Sequence, residues 1–277
     1  MGGQLPFTRY LASMELPLFQ VDAFTNQVFS GNPACVMPLE EMLPDEVLLQ
    51  LAQENAVAET AFLFGGKGCY RLRWFTPDLE MDLCGHATLA SAHVVLTHLE
   101  PNLDEVAFET LSGTLVVTRH PRGYEMVLPN RAPELAILPV ELGEALSKQP
   151  REVFKARDYL LVYEHETDVV HLAVDRSLFD RINLGTGGVI VTAPGMQCDF
   201  VSRFFTPQAT ILEDPVTGSA HCTSGPFWAE RLGSTLLHAV QRSSRGGELH
   251  LQILPEHVLV SGQAVTYLEG QVRLNLL

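Results

Sequence analysis

Arg73-Trp74-Phe75-Thr76-Pro77, followed by Cys84-Gly85-His86-Ala87-Thr88, has a second version 130 residues on. That version is Arg203-Phe204-Phe205-Thr206-Pro207, followed by Glu213-Asp214-Pro215-Val216-Thr217-Gly218-Ser219-Ala220-His221. Each phrase is strand-like, turns at Thr-Pro, passes an acidic loop and enters an Ala-rich helical pattern through a glycine. A repeat of this length predicts two equivalent halves facing one another, with both helix N-termini aimed at a shared cleft.

Working outward, the first half reads as a strand over 18–24, a loop through Gly31-Asn32-Pro33 and a helix beginning at Pro44-Asp45. Val47, Leu48, Leu51 and Ala52 recur there at helical spacing. Strands are expected over 58–64 and 70–75, joined by a hairpin turn at Gly65-Gly66-Lys67-Gly68, and then a long helix over 85–99. The small residues Ala87, Ala90, Ser91 and Ala92 suit that helix to enclosure by a sheet. Strands over 106–110, 114–119 and 124–128 finish the half, and Pro129–Pro133 reads as the linker. The second half is expected to carry short helices over 140–146 and 177–182, and strands over 159–163, 169–174, 189–192 and 199–205. The second central helix is placed over 218–232 and the last strands over 249–254, 257–261 and 265–268. Runs of strands around single helices, without strict β-α-β alternation, predict an α+β fold of two pseudo-symmetric lobes. We expect a first lobe over residues 14–130 and a second over 131–277, with the C-terminal strand able to return to the first lobe. Residues 1–13 read as a disordered leader, a tag or an over-called start.

Composition narrows the function. The chain has 277 residues, 46% hydrophobic and 18% charged, with 18 Lys plus Arg against 33 Asp plus Glu. A net charge of −15 without a basic cluster disfavours nucleic acid and anionic membrane surfaces as partners. No stretch reaches the length of a membrane span. Cys35, Cys69, Cys84, Cys198 and Cys222 form an odd, scattered set, which reads as reduced and cytoplasmic. With no C-x-x-C pair, a structural zinc site is not expected.

Four pieces carry chemistry. Gly85 and Gly218 admit a ligand close to helix N-termini, whose free N–H groups and partial positive charge suit a carboxylate; the competing reading is two tight turns. His86, in the first helical turn, is expected to be neutral beside that dipole and suited to proton shuttling, or else merely bonded to a neighbouring loop. Glu59 lies in the apolar run Ala56–Phe62, where it is paired or functional, or else faces water from an edge strand. Asp214 reads first as an N-terminal cap and alternatively as a group that orients a substrate. Gly185-Thr186-Gly187-Gly188 lacks the spacing of a dinucleotide loop, His165-Glu166 and His171 do not form H-E-x-x-H, and Ser219 has no nucleophile elbow. Nothing in the sequence calls for a nucleotide, flavin or metal.

These residues together resemble the phenazine-biosynthesis PhzF-like family. The match runs through Val21-Asp22-Ala23-Phe24-Thr25, Phe29-Ser30-Gly31-Asn32-Pro33-Ala34, Glu59-Thr60-Ala61-Phe62 and both repeat phrases, and covers the chain from about Met14 onward. The resemblance implies the diaminopimelate-epimerase-like fold, in which two lobes, each a curled sheet around a central helix, enclose the active site. It further implies a cofactor-free isomerase acting on a small carboxylate-bearing substrate, and a homodimer. In the founding enzyme a glutamate moves a proton between ring carbons of dihydro-hydroxyanthranilate. Glu59 falls on that position as general base and then acid. His86 and Asp214 match the accompanying polar residues, and Gly85, Gly218 and Ser219 would hold the substrate carboxylate. Ala58 departs from the Ser that commonly precedes the glutamate, so a neighbouring hydroxyl is missing. Two rival readings are an amino-acid epimerase using Cys84, whose thiol a helix N-terminus would acidify, and a non-catalytic binding or adaptor protein on the same fold. For the epimerase, a cysteine is lacking in the second phrase, and Cys222 lies a turn inside its helix.

Overall fold

The computed structural model describes residues 14–185 and 187–274; the expected leader over residues 1–13 lies outside them. Within these residues the strands join into one continuous mixed sheet that curls into two lobes. In the first lobe the order is Ala264–Leu274, Met14–Ala23, Asn32–Leu39, Glu59–Gly66, Cys69–Phe75, Glu105–Thr110, Gly113–His120 and Gly123–Pro129. In the second it is Glu134–Leu135, Glu152–Lys155, Tyr159–Val162, Val189–Pro194, Phe200–Phe205, Leu236–Gln241, Gly247–Ile253 and His257–Gly262. The two series share one pattern of directions, with parallel pairs only between the third and fourth strands and between the fifth and sixth. The last strands of the two series pair antiparallel, Leu128 opposite Val258. The repeat seen in the sequence is therefore a repeat of topology, with one permutation: the first lobe takes its outermost strand from the C-terminal end.

Each sheet wraps a helix. In Gly85–Val94 every residue is buried, so no polar face exists, as the small residues of this segment predict. The helix continues as a π-helical turn over Val95–Leu99. The second central helix starts as a 3₁₀ turn, Gly218–Ala220, and becomes α-helical over His221–Leu232. Pro226 cannot supply the N–H that the Cys222 carbonyl would ordinarily accept. The Arg131 N–H takes that carbonyl instead at 2.9 Å, which fixes the segment between the lobes against the helix.

The repeated arginines do the same work in each lobe. Arg73 makes a bidentate pair with Glu80 (2.7 and 2.6 Å), and Arg203 with Glu213 (2.7 and 2.9 Å). Each guanidinium also lies over a ring of its own phrase, Phe75 at 5.1 Å and Phe205 at 4.8 Å. These forks hold the two-residue strands Glu80–Met81 and Glu213–Asp214 against the strands that carry the arginines, just ahead of each helix.

Several segments differ from the sequence expectation, which did not include the strands Glu152–Lys155 and Leu236–Gln241. The strand expected over 169–174 is instead a helix, Glu166–Val170, followed by irregular chain with one bridge at Val174. Tertiary contacts override its β-branched pattern: Arg203 Nη1 donates to the carbonyls of Val169 and Leu172 (3.0 and 2.8 Å), and Glu166 accepts from Arg242 and the Met196 N–H. Asn32, expected in a loop, opens the strand Asn32–Leu39. Pro38 is tolerated because the antiparallel pairing with Met14–Ala23 stops at Val36, so its missing N–H costs no bond on that side.

Candidate active site

The N-termini of the two central helices meet. A Cβ added to Gly85 would lie 3.4 Å from Gly218 Cα and 3.6 Å from Ser219 N. The first helical bonds run from Thr88 N–H to Cys84 O and from Ala220 N–H to Thr217 O. The N–H groups of Gly85, His86, Gly218 and Ser219 precede those bonds and have no partner within their helices. They border a cavity of about 390 Å³ between the lobes, which Glu59, Cys84, His86, Arg157, Asp214 and Ser219 also line. This is the size of a small-molecule site.

Glu59 is the first residue of an interior strand, paired parallel at Ala34 and flanked on its other side by Cys69–Phe75, so it does not face water from an edge. Its Oε2 lies 3.1 Å from His86 Nε2. The two atoms are at ion-pair distance but poorly aligned for a hydrogen bond, and both are buried with no other partner. On its other nitrogen, His86 Nδ1 meets Asn32 Nδ2 at 3.1 Å and Cys84 Sγ at 3.5 Å. The Asn32 amide gives its two hydrogens to shorter contacts, Asp214 Oδ1 at 2.7 Å and the Val216 carbonyl at 2.8 Å. That leaves the Cys84 sulfur as the partner of Nδ1, accepting its N–H when the ring is charged.

Burial opposes charge on His86, yet the Cys84 sulfur and the Glu59 carboxylate outweigh it and hold the imidazole well above its ordinary range. Burial, with Glu59 alongside, pushes the Cys84 thiol up to about 11. The thiol is therefore protonated at neutral pH, which leaves the Glu59 carboxylate as the charge that favours the imidazolium. Both results reverse the sequence expectation, which weighed only the helix dipole. A dipole contributes about 0.3–1 kcal/mol near a surface, less than a carboxylate in contact or the loss of water can supply.

Asp214 is not a cap. The residue at the helix entry is Thr217, and no side chain caps that end. Asp214 instead accepts from Asn32 and from the Thr217 hydroxyl (2.5 Å), while Gln241 bonds its backbone carbonyl and the Thr217 N–H, both at 2.8 Å. Burial raises the Asp214 carboxyl to about 6, against the opposing pull of His86 and these hydrogen bonds.

Asn32, Arg157 and Gln241 join the site without having been singled out as site residues from the sequence. Asn32 is held by the loop before it. Gly31 sits at φ +67°, where a Cβ would fall 2.2 Å from the Ala23 carbonyl, and its N–H donates to Gly246 O at 2.7 Å. Arg245 bonds Gly31 O, Ser30 O and Asp22 across the lobes, and Asp22 in turn accepts from the Phe29 N–H. Arg157 donates to Ser219 Oγ at 3.3 Å and is braced by the fully buried Asp158, which also accepts from Gly188 N–H. No motif surrounds Arg157 or Gln241, and their approach to the cleft depends on long-range pairing. Gly188 owes its identity to packing, since a Cβ there would lie 2.3 Å from the Phe204 ring. Glu59, Cys84 and His86 place one ligand atom each within 4.8 Å of one another and could chelate a soft divalent ion, but only by giving up the Glu59–His86 contact.

The position matching Cys84 in the second lobe is Thr217, each directly preceding its helix in an extended conformation. Cys222 is buried within the helix, its thiol pushed up to about 12 by burial. Among the described residues no helix is long and apolar enough to cross a membrane.

Known proteins align with this arrangement over nearly its whole length. The family model described as phenazine biosynthesis-like protein matches residues 21–270. An uncharacterized isomerase of Pseudomonas aeruginosa is 47% identical over 262 residues, spanning 94% of this chain and all of that protein. A crystal structure of a PhzF-family phenazine biosynthesis protein from Enterococcus faecalis has a TM-score of 0.89 at 41% identity, covering 94% of this chain and 100% of that one. A probable proline racemase from Agrobacterium radiobacter, 10% identical with a TM-score of 0.62 over 93% of this chain and 92% of its own, shares the two-lobed fold alone. By sequence match and by fold, the chain belongs to the phenazine biosynthesis-like PhzC-PhzF family.

Proposed function

We propose that this protein is a cofactor-independent isomerase that shifts a proton within a small carboxylate-bearing substrate, with Glu59 as general base and then general acid. The observation that carries this reading is the pair of buried, otherwise unpartnered atoms Glu59 Oε2 and His86 Nε2, facing each other beside two converging helix N-termini. A buried carboxylate without a settled hydrogen bond is poised to take a proton from carbon. The Glu59 carboxylate removes a C–H proton, the electron pair delocalises into the substrate, and protonated Glu59 returns the proton at a second carbon. The N–H groups of Gly85, Gly218 and Ser219, with Arg157 as a cation beside Ser219, hold the substrate carboxylate while negative charge develops on the substrate. His86, held cationic by Glu59, stabilises that charge and keeps Glu59 aimed. Asp214 fixes Asn32 and Thr217 at the cavity wall and contributes to substrate binding.

A two-thiol epimerase is disfavoured because Thr217 stands opposite Cys84 and because the Cys84 thiol is raised rather than acidified. A purely binding role gives no reason to leave Glu59 and His86 without aligned partners. The test is incubation in D2O with a panel of small cyclic and acyclic amino and hydroxy acids, dihydro-hydroxyanthranilate included, followed by NMR. Isomer formation with deuterium uptake in the wild type, reduced about 10²–10⁴-fold in Glu59→Gln, is the expected result. Turnover that survives Glu59→Gln and vanishes in Cys84→Ser would transfer the role to the thiol.

A further inference from the structure

A second cluster of ligating side chains lies outside the cleft, on the sheet near the seam between the lobes. The strands Leu236–Gln241 and Gly247–Ile253 pair antiparallel with His238 directly opposite His250 and Val240 opposite Glu248. Residues two apart on a strand share a face, so Glu248 and His250 project on the same side as His238. His238 Nε2 lies 3.6 Å from Glu248 Oε2, and the two imidazoles stack with centroids 4.7 Å apart at 18°. One nitrogen from each ring and one Glu248 oxygen all fall within 4.8 Å of one another. The His238 nitrogen is buried and makes no hydrogen bond, which for a buried polar atom asks for a reason.

We propose that His238, His250 and Glu248 form a binding site for a zinc-class divalent cation. Two imidazoles and one carboxylate suit Zn²⁺ and its neighbours Co²⁺, Ni²⁺ and Cu²⁺, whereas Mg²⁺ and Ca²⁺ favour all-oxygen sets. Three protein ligands leave a tetrahedral ion one open position. His238 and His250 also line a depression bordered by His120, Arg122, Glu125 and Asp199, from which water or a further side chain can complete the shell. The backbone beneath is already fixed: His238 N–H donates to Asp199 Oδ2 at 2.6 Å, and Asp199 N–H returns a bond to His238 O at 2.9 Å. Among the described residues bordering this depression Arg122 is the one Lys or Arg, with Arg242 and Arg245 on the adjoining cavity that Glu248 and His250 line, within a molecule of net charge −15. A stacked His pair with a loose carboxylate contact would account for the packing but would leave His238 Nε2 without a partner. No local motif announces this cluster, because hairpin register assembles it.

The test is calorimetric titration of the untagged, chelator-treated full chain with Zn²⁺, paired with the visible spectrum of the Co²⁺ form. One equivalent is expected to bind the wild type. Affinity should fall by at least the ~10–100-fold that losing even an outer-shell partner costs, in His238→Asn and in His250→Asn, and should weaken in Glu248→Gln. Cys84→Ser should bind as the wild type does. Melting curves guard against misfolded variants, because Zn²⁺ should raise the midpoint of the wild type and not of either folded His variant. Absence of binding to the wild type overturns the proposal. So does binding that survives both His substitutions, and loss of it in Cys84→Ser would move the ion to the cleft.

Discussion

At the level of single residues, the cleft combines groups whose environments push their protonation in different directions. Asp214, raised to about 6 by burial, binds a proton more tightly folded than unfolded. Its contribution to stability is complete below pH 3.8 and is lost as pH rises through 6, roughly 3 kcal/mol over the window. His93 and His221, both pushed down to about 4 chiefly by burial, act oppositely. Their contribution is complete above 6.5 and is lost as pH falls through 4, roughly 3 kcal/mol each. The histidines outweigh Asp214, so the wild type is expected to lose stability between pH 6.5 and 4. Asp214→Asn removes the compensating gain and should make that loss larger by roughly 2 kcal/mol between pH 7 and pH 4.5, read from urea midpoints at the two pH values. Arg157 permits a separate check on substrate orientation. Arg157→Leu is expected to raise KM about 10–100-fold with a smaller change in kcat, as loss of a charged hydrogen bond to a bound carboxylate would do. An equal fall in kcat with KM unchanged would mean that Arg157 acts on the reacting centre instead.

Among the elements, the two central helices matter less for their length than for where they begin. Gly85 has ordinary helical geometry, and a methyl there would meet Gly218 Cα at 3.4 Å, which the fold tolerates. It would also stand between the two sets of N–H groups. Gly85→Ala is therefore expected to keep a near-native melting temperature while losing activity by an order of magnitude or more, since a small displacement of positioned donors is costly. A large drop in melting temperature would show that the glycine serves packing and not the ligand. Much of this was legible in the sequence, because Arg-x-Phe-Thr-Pro and the following glycine recur with the strand–turn–helix pattern intact. Glu59, His86 and Asp214 were legible as candidates, because polar groups inside apolar or helix-opening segments demand explanation and the family resemblance singled them out, and all three line the cleft. What could not be read is long-range. Arg157 comes to Ser219, and Gln241 to Thr217, by pairings across the second sheet. The strand expected over 169–174 gave way to the helix Glu166–Val170 and irregular chain because Arg203 takes the carbonyls of Val169 and Leu172 and Arg242 pairs with Glu166. Protonation was misjudged at His86 and Cys84 because the distance between Glu59 and both residues is a product of the fold.

For the whole molecule, the feature with the widest consequence is the exchange that closes the first lobe. Ala264–Leu274 pairs along the full length of Met14–Ala23, Met14 opposite Leu274 and Ala23 opposite Ala264, with a register shift between Gln20 and Val21. It stands where Glu134–Leu135 stands beside Glu152–Lys155, so the second half of the chain supplies a wall of the first lobe. That strand also reaches the central helix. Thr266 Oγ1 lies 2.8 Å from His93 Nε2 and 3.1 Å from His98 Nε2, and the Tyr124 hydroxyl meets His93 Nδ1 at 2.9 Å. The first central helix is thus tethered to the strand Ala264–Leu274 by a buried imidazole that has both nitrogens occupied. Removing one partner strands a buried donor or acceptor, which costs about 1–3 kcal/mol. Thr266→Val, nearly isosteric, is expected to lower unfolding free energy by that amount in urea titration, with the m-value unchanged. Truncation after Gly262 removes the entire ladder and exposes the edge of Met14–Ala23, whose inner residues Phe19, Val21 and Ala23 belong to the core. The truncated chain should lose its cooperative melting transition and aggregate. A truncated chain that still melted cooperatively would show that the first lobe closes without its borrowed strand, and that the coupling between the C-terminus and the helix carrying His86 is dispensable.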